Sequence, residues 1–373
     1  MPESAILAGD DLRVLLDGEN AAAYQGWKTL RLERPIDSLA GSFALSSSVL
    51  RPWPFQPGAA VRIELADEVL LAGHVEELSA GTSARGREVK LAGRDRAGDM
   101  VDCAAVHETG EWRLLSLIEL AQELAEPFGL EVESRHSKEQ GDDWLRLIEP
   151  FQRFTLRSGE TAWSALERAL RTRGFLGFTE GGRIQIERPG PEKLTTQLVE
   201  SSAGNILSAT LRDSTVDRFS SYTVRSQRAG SDEGWGETVA EIEGTASDTN
   251  VARFRPWLDF GEAALTFETA QERASWEASV RAARAKRVEV QVQGWRQAPG
   301  LPAWRPNRLV DVHVPSIGLG PVEMLIARVR FERSERGSTT TLELRPSGAF
   351  NPAPAVAEDS SFDSELDSPE WSE

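Results

Sequence analysis

Four histidines, one cysteine and a few paired carboxylates are the residues of this chain equipped for metal, nucleophilic or acid–base chemistry. His74, His107, His136 and His313 stand far apart, in neither a His-x-His nor a His-Glu-x-x-His pattern, and a single cysteine cannot complete a zinc cage. They read as surface or packing residues, and neither metal nor cofactor is expected. Cys103 would act as a nucleophile only beside a cation or a helix terminus that held it as thiolate; it reads as a buried, inert thiol. Asp10-Asp11 and Asp142-Asp143 have the form of a glycosidase acid pair, but among 59 acidic residues such neighbours arise by chance. There is no Gly-x-Ser-x-Gly elbow and no phosphate-binding glycine loop ahead of a helix. Gly93-Arg94-Asp95-Arg96-Ala97-Gly98-Asp99 lacks metal-loop spacing. It reads as a turn out of a β domain, with Asp95 and Asp99 bonding locally. With no catalytic constellation, the chain reads as a structural or interaction protein and not as an enzyme.

The elements that must carry these residues are mostly strands. Leu12, Val14 and Leu16, then Leu30 and Leu32, Phe43 and Leu45, Val61, Ile63 and Leu65, and Val89 and Leu91 keep a period of two over residues 12–100. Gly18, Gly41, Pro57-Gly58, Gly73 and Gly86 punctuate them, as in a barrel or sandwich. Leu114, Leu117, Ile118, Ala121, Leu124 and Ala125 then form a helical stripe ending near Pro127 and Gly129. A second helix is expected from Ser158-Gly159-Glu160-Thr161 to Gly174, followed by a hairpin across Gly181-Gly182. Residues 105–190 therefore read as a small α+β domain. Strands resume near 205, and a polar stretch at 228–236 reads as a loop. Thr269-Ala270-Gln271-Glu272 matches a capping box opening a helix near 269–286, inside a second β domain.

With 373 residues, two or three domains are expected, and 40% apolar residues suffice for real cores. The net charge of −17 argues against duplex-DNA binding and against an anionic membrane surface. One cysteine excludes an intrachain disulfide. Met1-Pro2-Glu3-Ser4 shows no basic region ahead of an apolar stretch, so no signal peptide is expected, and no apolar run is long enough to span a bilayer. Eleven tryptophans against two tyrosines read as core and interface filling. Residues 357–373 carry seven acids and no base. They read as a disordered solubilising tail, or as a docking segment with Phe362, Leu366 and Trp371 as anchors.

One β-rich block occurs twice. Phe55-Gln56-Pro57-Gly58-Ala59-Ala60-Val61-Arg62-Ile63-Glu64-Leu65 reads like Trp304-Arg305-Pro306-Asn307-Arg308-Leu309-Val310-Asp311-Val312-His313-Val314. Ser83-Ala84-Arg85-Gly86, Leu91 and Arg94 answer to Ser334-Glu335-Arg336-Gly337, Leu342 and Arg345 after a two-residue slip. Segments 57–94 and 306–345 are expected to superpose as two similar barrels. Pro57, Gly58, Pro306, Asn307, Arg336 and Gly337 mark the repeat as candidates for fold and assembly.

A longer series points to a family. It comprises Trp27, Leu30-Arg31-Leu32-Glu33-Arg34, Ala40-Gly41-Ser42-Phe43, Pro57-Gly58, and Leu91 to Asp99 with Asp102-Cys103. It continues with Ser158-Gly159-Glu160-Thr161, Leu166-Glu167-Arg168, Gly204-Asn205-Ile206-Leu207, Arg218-Phe219-Ser220-Ser221-Tyr222 and Asp248 to Pro256. In this order, over about residues 10 to 350, the chain resembles the bacteriophage Mu-like baseplate hub proteins, the tail protein P family. The resemblance adds Trp27, Gly41, Phe43, Gly93, Arg94, Asp95 and Asp99 to the fold and assembly candidates.

The resemblance implies an α+β, mainly β chain: a first β-barrel at 1–104, a small α+β domain at 105–190 and a second β-barrel at 191–350 with the helix near 269–286; the acidic tail at 351–373 lies outside the resemblance. It implies a homotrimer in which two barrels per chain form a pseudo-sixfold ring, adapting the sixfold tail tube to the threefold central spike of a contractile tail. Implied partners are the spike, the tail tube or a tube-initiator protein and baseplate wedge proteins, with the tape measure protein as a further candidate. DNA would pass through unbound, past an inner wall expected to be rich in carboxylates, and no stable membrane insertion is implied. The implied location is the virion tail baseplate, assembled in the host cytoplasm. The alternatives are a hub of an R-type bacteriocin, type VI or other contractile injection system, or a tail-associated cell-wall hydrolase.

Overall fold

The computed structural model describes residues 12–16, 23–24, 28–47, 56–84, 86–136, 141–226, 242–260 and 265–354. Trp27, the polar stretch at 228–236 and the acidic tail at 357–373 lie outside them. The chain divides into two compact units, Met1–Leu211 with Arg287–Ser347, and Arg212–Lys286 with Gly348–Glu373.

The first unit opens with seven strands, β1 (Leu12–Leu16), β2 (Ala23–Tyr24), β3 (Thr29–Pro35), β4 (Ser42–Ser47), β5 (Ala60–Leu65), β6 (Glu68–Ser83) and β7 (Gly86–Asp95). Alternation dictates their faces: Leu30 and Leu32, Phe43 and Leu45, and Val61, Ile63 and Leu65 are buried while their neighbours are not. The middle of the chain forms α1 (Gly98–Asp102), β8 (Glu111–Trp112), α2 (Leu117–Ala125), β9 (Val132–Ser134), α3 (Asp142–Ile148), β10 (Phe154–Thr155), α4 (Ala162–Arg173), β11 (Leu176–Glu180) and β12 (Arg183–Glu187). Ser116 caps α2 in a capping box with Glu119, Thr161 caps α4, and Gly174, left-handed at φ 78, ends it. Leu114 does not belong to the α2 stripe; it precedes the cap with φ 55 and is exposed. The buried faces of α2 and α4 share a core with Trp112, Phe151, Phe154, Ile184 and Ile186.

β13 (Glu192–Lys193), β14 (Leu198–Val199) and β15 (Ile206–Asp213) lead to the second unit. There β16 (Ser221–Ser226) lies between antiparallel β17 (Ile242–Ser247) and parallel β18 (Pro256–Phe260). α5 (Phe267–Arg284) packs on this sheet with Val224, Leu265, Ala270 and Ala274 in the core. Its cap is Thr266, with Thr269 completing the box, so Thr269 is the third helical residue and not the cap read from the sequence. The chain then returns through β19 (Lys286–Gln293), β20 (Arg308–Val314), β21 (Leu319–Ser334) and β22 (Gly337–Arg345).

Neither block closes into the expected barrel. Closure needs the outer strands of one block to meet. Instead β3, the outer strand of the first block, pairs with β21 of the second, and one sheet runs β15-β19-β22-β21-β3-β4-β7-β6-β5-β1-β2, with β20 beside β21 and with β13 and β14 on β20. One face of this sheet carries a continuous apolar core from Val14 and Ile63 to Val329, Phe331 and Leu344. The other presents charged and polar residues around a concavity of about 910 Å³ lined by Arg31, Ser46, Lys90, Gln291, Glu332 and Thr339 among others.

Candidate assembly interface

The two blocks share construction down to single backbone features. Pro57-Gly58 and Pro306-Asn307 both put a left-handed residue ahead of a strand, with φ 85 at Gly58 and 58 at Asn307. Gly58 N donates to Val75 O at 2.7 Å, and Asn307 N donates to Ile326 O at 2.9 Å. β6 and β21 are each 16 residues long, and each bulges against the following strand one residue later, between Val75 and Glu77 and between Ile326 and Arg328. Each then turns back, with Ser83 opposite Gly86 and Ser334 opposite Gly337; Arg336 lies on the second turn, its N–H bonded to Ser334 Oγ at 3.2 Å. β4 lies on β7 as β19 lies on β22. Phe43 faces Gly93 where Val288 faces Leu344, so bulk lost on one strand is regained on the other.

Two buried polar residues tie the middle domain to the blocks. Asp95 accepts from Gly41 N at 2.5 Å, from Ala97 N at 2.9 Å and from the Thr179 hydroxyl on β11. Burial pushes its carboxyl up to about 6 against these three donors. Asn307 accepts from Gly190 N at 2.9 Å and donates to Glu187 Oε2 at 3.0 Å and to Arg188 O at 2.9 Å. Its counterpart Gly58 is exposed, and a Cβ there would meet nothing within 4 Å, so the repeat has diverged where the middle domain sits. Glu180 joins all three parts: it pairs with Arg34 of β3 at 3.4 Å, with Arg305 ahead of β20 at 3.5 Å and with Arg135 at 2.6 Å. Arg94 reaches Glu76 at 2.7 Å and forks onto Asp102, while Asp99 stands exposed in the first turn of α1.

The join between blocks is the β3–β21 ladder, from Pro35 opposite Arg328 to Leu30 opposite Arg333. On its apolar face Leu32 meets Phe331, both fully buried. On its polar face Glu33 sits between Arg328 at 2.6 Å and Arg330 at 3.1 Å, and Arg328 also holds Asp37 at 2.9 Å. Burial pulls Glu33 upward, but Arg328 and Arg330 outweigh it and hold the carboxyl below its usual value. Glu33, Arg34, Glu180, Arg328 and Arg330 carry this join, and the repeat and family series marked only the first two, without a role. A signal existed: on both strands charges alternate with buried apolar residues, and their signs complement each other position by position, Arg31 opposite Glu332 and Glu33 opposite Arg330.

One expectation changes. Cys103 is exposed, because it follows the last turn of short α1 and no core covers that end. Asp142-Asp143 open α3, where Asp143 pairs with Arg188 at 2.7 Å. His136 is a buried packing residue, accepting from Arg188 N at 3.1 Å and lying edge-on to Phe175.

Three family models match in chain order. Residues 6–95 match the N-terminal domain of Mu phage baseplate assembly protein GpP-like proteins, 97–188 the second domain of baseplate hub protein gp44-like proteins, and 266–353 the fourth domain of Mu phage baseplate assembly protein GpP. The baseplate hub protein gp44 of Escherichia phage Mu is 29% identical over 335 residues, 88% of this chain and 86% of that protein. The crystal structure of a 43 kDa tail protein of prophage MuSo2 from Shewanella oneidensis matches with TM-score 0.78 and 26% identity, over 91% of this chain and 99% of that one. A tail protein from Neisseria meningitidis MC58 shares the fold, with TM-score 0.73 and 20% identity over 92% and 99% of the two chains. Over most of its length the chain is similar to Mu-type hub and tail proteins.

Proposed function

We propose that this chain is a Mu-type baseplate hub protein, a structural part of a contractile phage tail. Three copies form a ring between the tail tube and the central spike. The observation that carries this reading is the repeated block inside one continuous sheet. A sixfold tube needs six equivalent contacts, and a threefold spike needs three. Three chains with two matching blocks supply six similar surfaces on one side, while the unrepeated parts supply three on the other. The tube or its initiator, the spike and the wedge proteins are the partners this geometry calls for, and the tape measure protein is a further candidate. The relatives above 25% identity belong to a phage and a prophage, while a type VI secretion component shares the fold over 93% of the chain at 10% identity; the higher identity favours a phage tail over a bacteriocin or a type VI machine.

In this reading the polar face of the sheet lines the passage for DNA. Its charge differs from the carboxylate-rich wall expected from composition. Arg31, Lys90, Arg94, Arg328 and Arg330 stand among Glu33, Glu76, Glu88 and Glu332, and they are joined in ion pairs. A guanidinium already engaged by a carboxylate offers a passing phosphate little counterion release, so DNA meets a polar wall without a free basic stripe. Electron microscopy of the particle containing this chain tests the assignment. It should show three copies around the tail axis, presenting six β blocks between tube and spike; an off-axis position or a single copy overturns it.

A further inference from the structure

The sheet of the second unit is covered by a helix on one face only. Val224 and Trp257 turn toward α5, so by alternation the opposite face carries Thr223 and Arg225 of β16 beside Leu258 and Phe260 of β18. Leu258 is 50% exposed, Phe260 59%, and Phe254, just ahead of the strand, 89%. An apolar patch of this kind on a folded surface marks a contact. Two bases flank it with no carboxylate partner among the described residues. Arg253 is exposed, and Arg255 is held by the carbonyls of Thr215 and Val216 at 2.8 and 2.7 Å. The chain end assigned to the same unit has the complementary composition. Residues 355–373, outside the described ones, carry seven acids and no base, and Phe362, Leu366 and Trp371 each stand next to an acid.

We propose that the acidic tail docks on the second unit of its own chain, seating its apolar residues around Leu258 and Phe260 and its carboxylates on Arg253 and Arg255. The tail departs on the side this requires. Asn351 O accepts from Trp276 Nε1 at 3.0 Å, and Trp276 shares a flank of α5 with Arg273, which lies 3.6 Å from Asp259 of β18. Rounding a helix and a sheet, each about 10 Å thick, takes roughly 20 Å. The chain from Pro354 to Phe362 already extends about 26 Å, and Leu366 and Trp371 reach farther. A tether of this length holds the tail at a local concentration on the order of millimolar, so a contact too weak for a separate partner closes within the chain. A second copy seated symmetrically on this face would instead set Arg253 and Arg255 against the same bases. The docking does not depend on the hub reading.

Alkylation of a single thiol tests the docking in the full chain. With Cys103→Ser removing the exposed native thiol, Thr223→Cys places one in the middle of the outer face, between Leu258 and Thr245. It should react with a maleimide about fivefold more slowly in the full chain than in a chain ending at Pro354, and the ratio should survive dilution. Phe362→Ser, Leu366→Ser and Trp371→Ser together should restore the faster rate, and Arg253→Glu should restore part of it. Ser275→Cys, on the flank of α5 that faces β17, should react equally in both chains. A labelled peptide of residues 355–373 gives a second readout without a cysteine: it should bind the chain ending at Pro354 and be excluded from the full chain. Equal alkylation of Thr223→Cys in the two chains, or equal peptide binding, leaves the face to a separate partner and overturns the docking. Shielding that is the same in both chains and fades on dilution assigns the face to a second copy and overturns it as well.

Discussion

Asp95 concentrates the conflict between burial and bonding in one carboxyl. Its three donors favour the ionised form and the dry surroundings the neutral one, and burial wins, taking the group from 3.8 to about 6. A raised carboxyl contributes stability that is complete below its unfolded value and is lost as pH rises through about 6. Asp95 therefore makes the fold up to about 3 kcal/mol more stable at pH 4 than at pH 7. Burial pushes Glu33, Glu180 and Asp248 up as well, but their arginine partners hold all three low, so their contribution falls as the solution is acidified. Asp95→Asn, which cannot titrate, separates the two effects. In urea titrations, the stability of the wild type minus that of the variant should rise by up to about 3 kcal/mol from pH 7 to pH 4; a flat difference would show that the donors keep Asp95 ionised. Gly93 is a second residue with one solution. A Cβ there would overlap His74 O and stand 2.8 Å from the Phe43 ring, so Gly93→Ala should cost about 3 kcal/mol or more. Gly320→Ala, which meets nothing within 4 Å, should stay within about 0.5 kcal/mol in the same titration.

At the scale of elements, the β3–β21 ladder does what a barrel closure would have done. Glu33 and Arg330 sit directly opposite each other and are both largely covered, so they should be coupled more strongly than a surface pair. A double-mutant cycle of Glu33→Gln and Arg330→Gln should give about 1 kcal/mol or more at pH 7, shrinking as Glu33 is protonated; additivity within error would reduce the pair to decoration. This ladder also marks where sequence reading ran out. Strand alternation at Leu30 and Leu32, the stripe of α2, the stop at Gly174 and the hairpin at Gly181-Gly182 were legible because each is a local pattern of period, cap or turn. The repeat was legible too, through Pro57 and Pro306. That β3 would choose β21 was not, since residues 30–35 and 328–333 are joined by no local signal. The same holds for the bulges after Val75 and Ile326, and for Thr179 finding Asp95. The cap of α5 was misread by three residues because Thr266 and Thr269 both have the right side chain, and only the backbone tells which one starts the helix.

For the whole molecule, the decisive fact is that the chain leaves its first unit at Leu211 and re-enters at Arg287. The first unit is held by a sheet that crosses both blocks and by a second core around α2 and α4. The other rests on three strands, one helix and a core of Val224, Leu265, Ala270 and Ala274. Two cores without a common set of buried residues need not unfold together, and the one burying less apolar surface opens at lower free energy. Its tight point is Gly244, where a Cβ would overlap the backbone of Ala270, so β17 and α5 should open as one event. Hydrogen exchange in rising denaturant should release the amides of β16, β17 and α5 as one set, and those of β4, β7, β21 and β22 as a later one, with Trp257 reporting the first step and the buried Trp295 and Trp304 the second. A single coincident transition for all amides and all three tryptophans would instead make the two units one cooperative body.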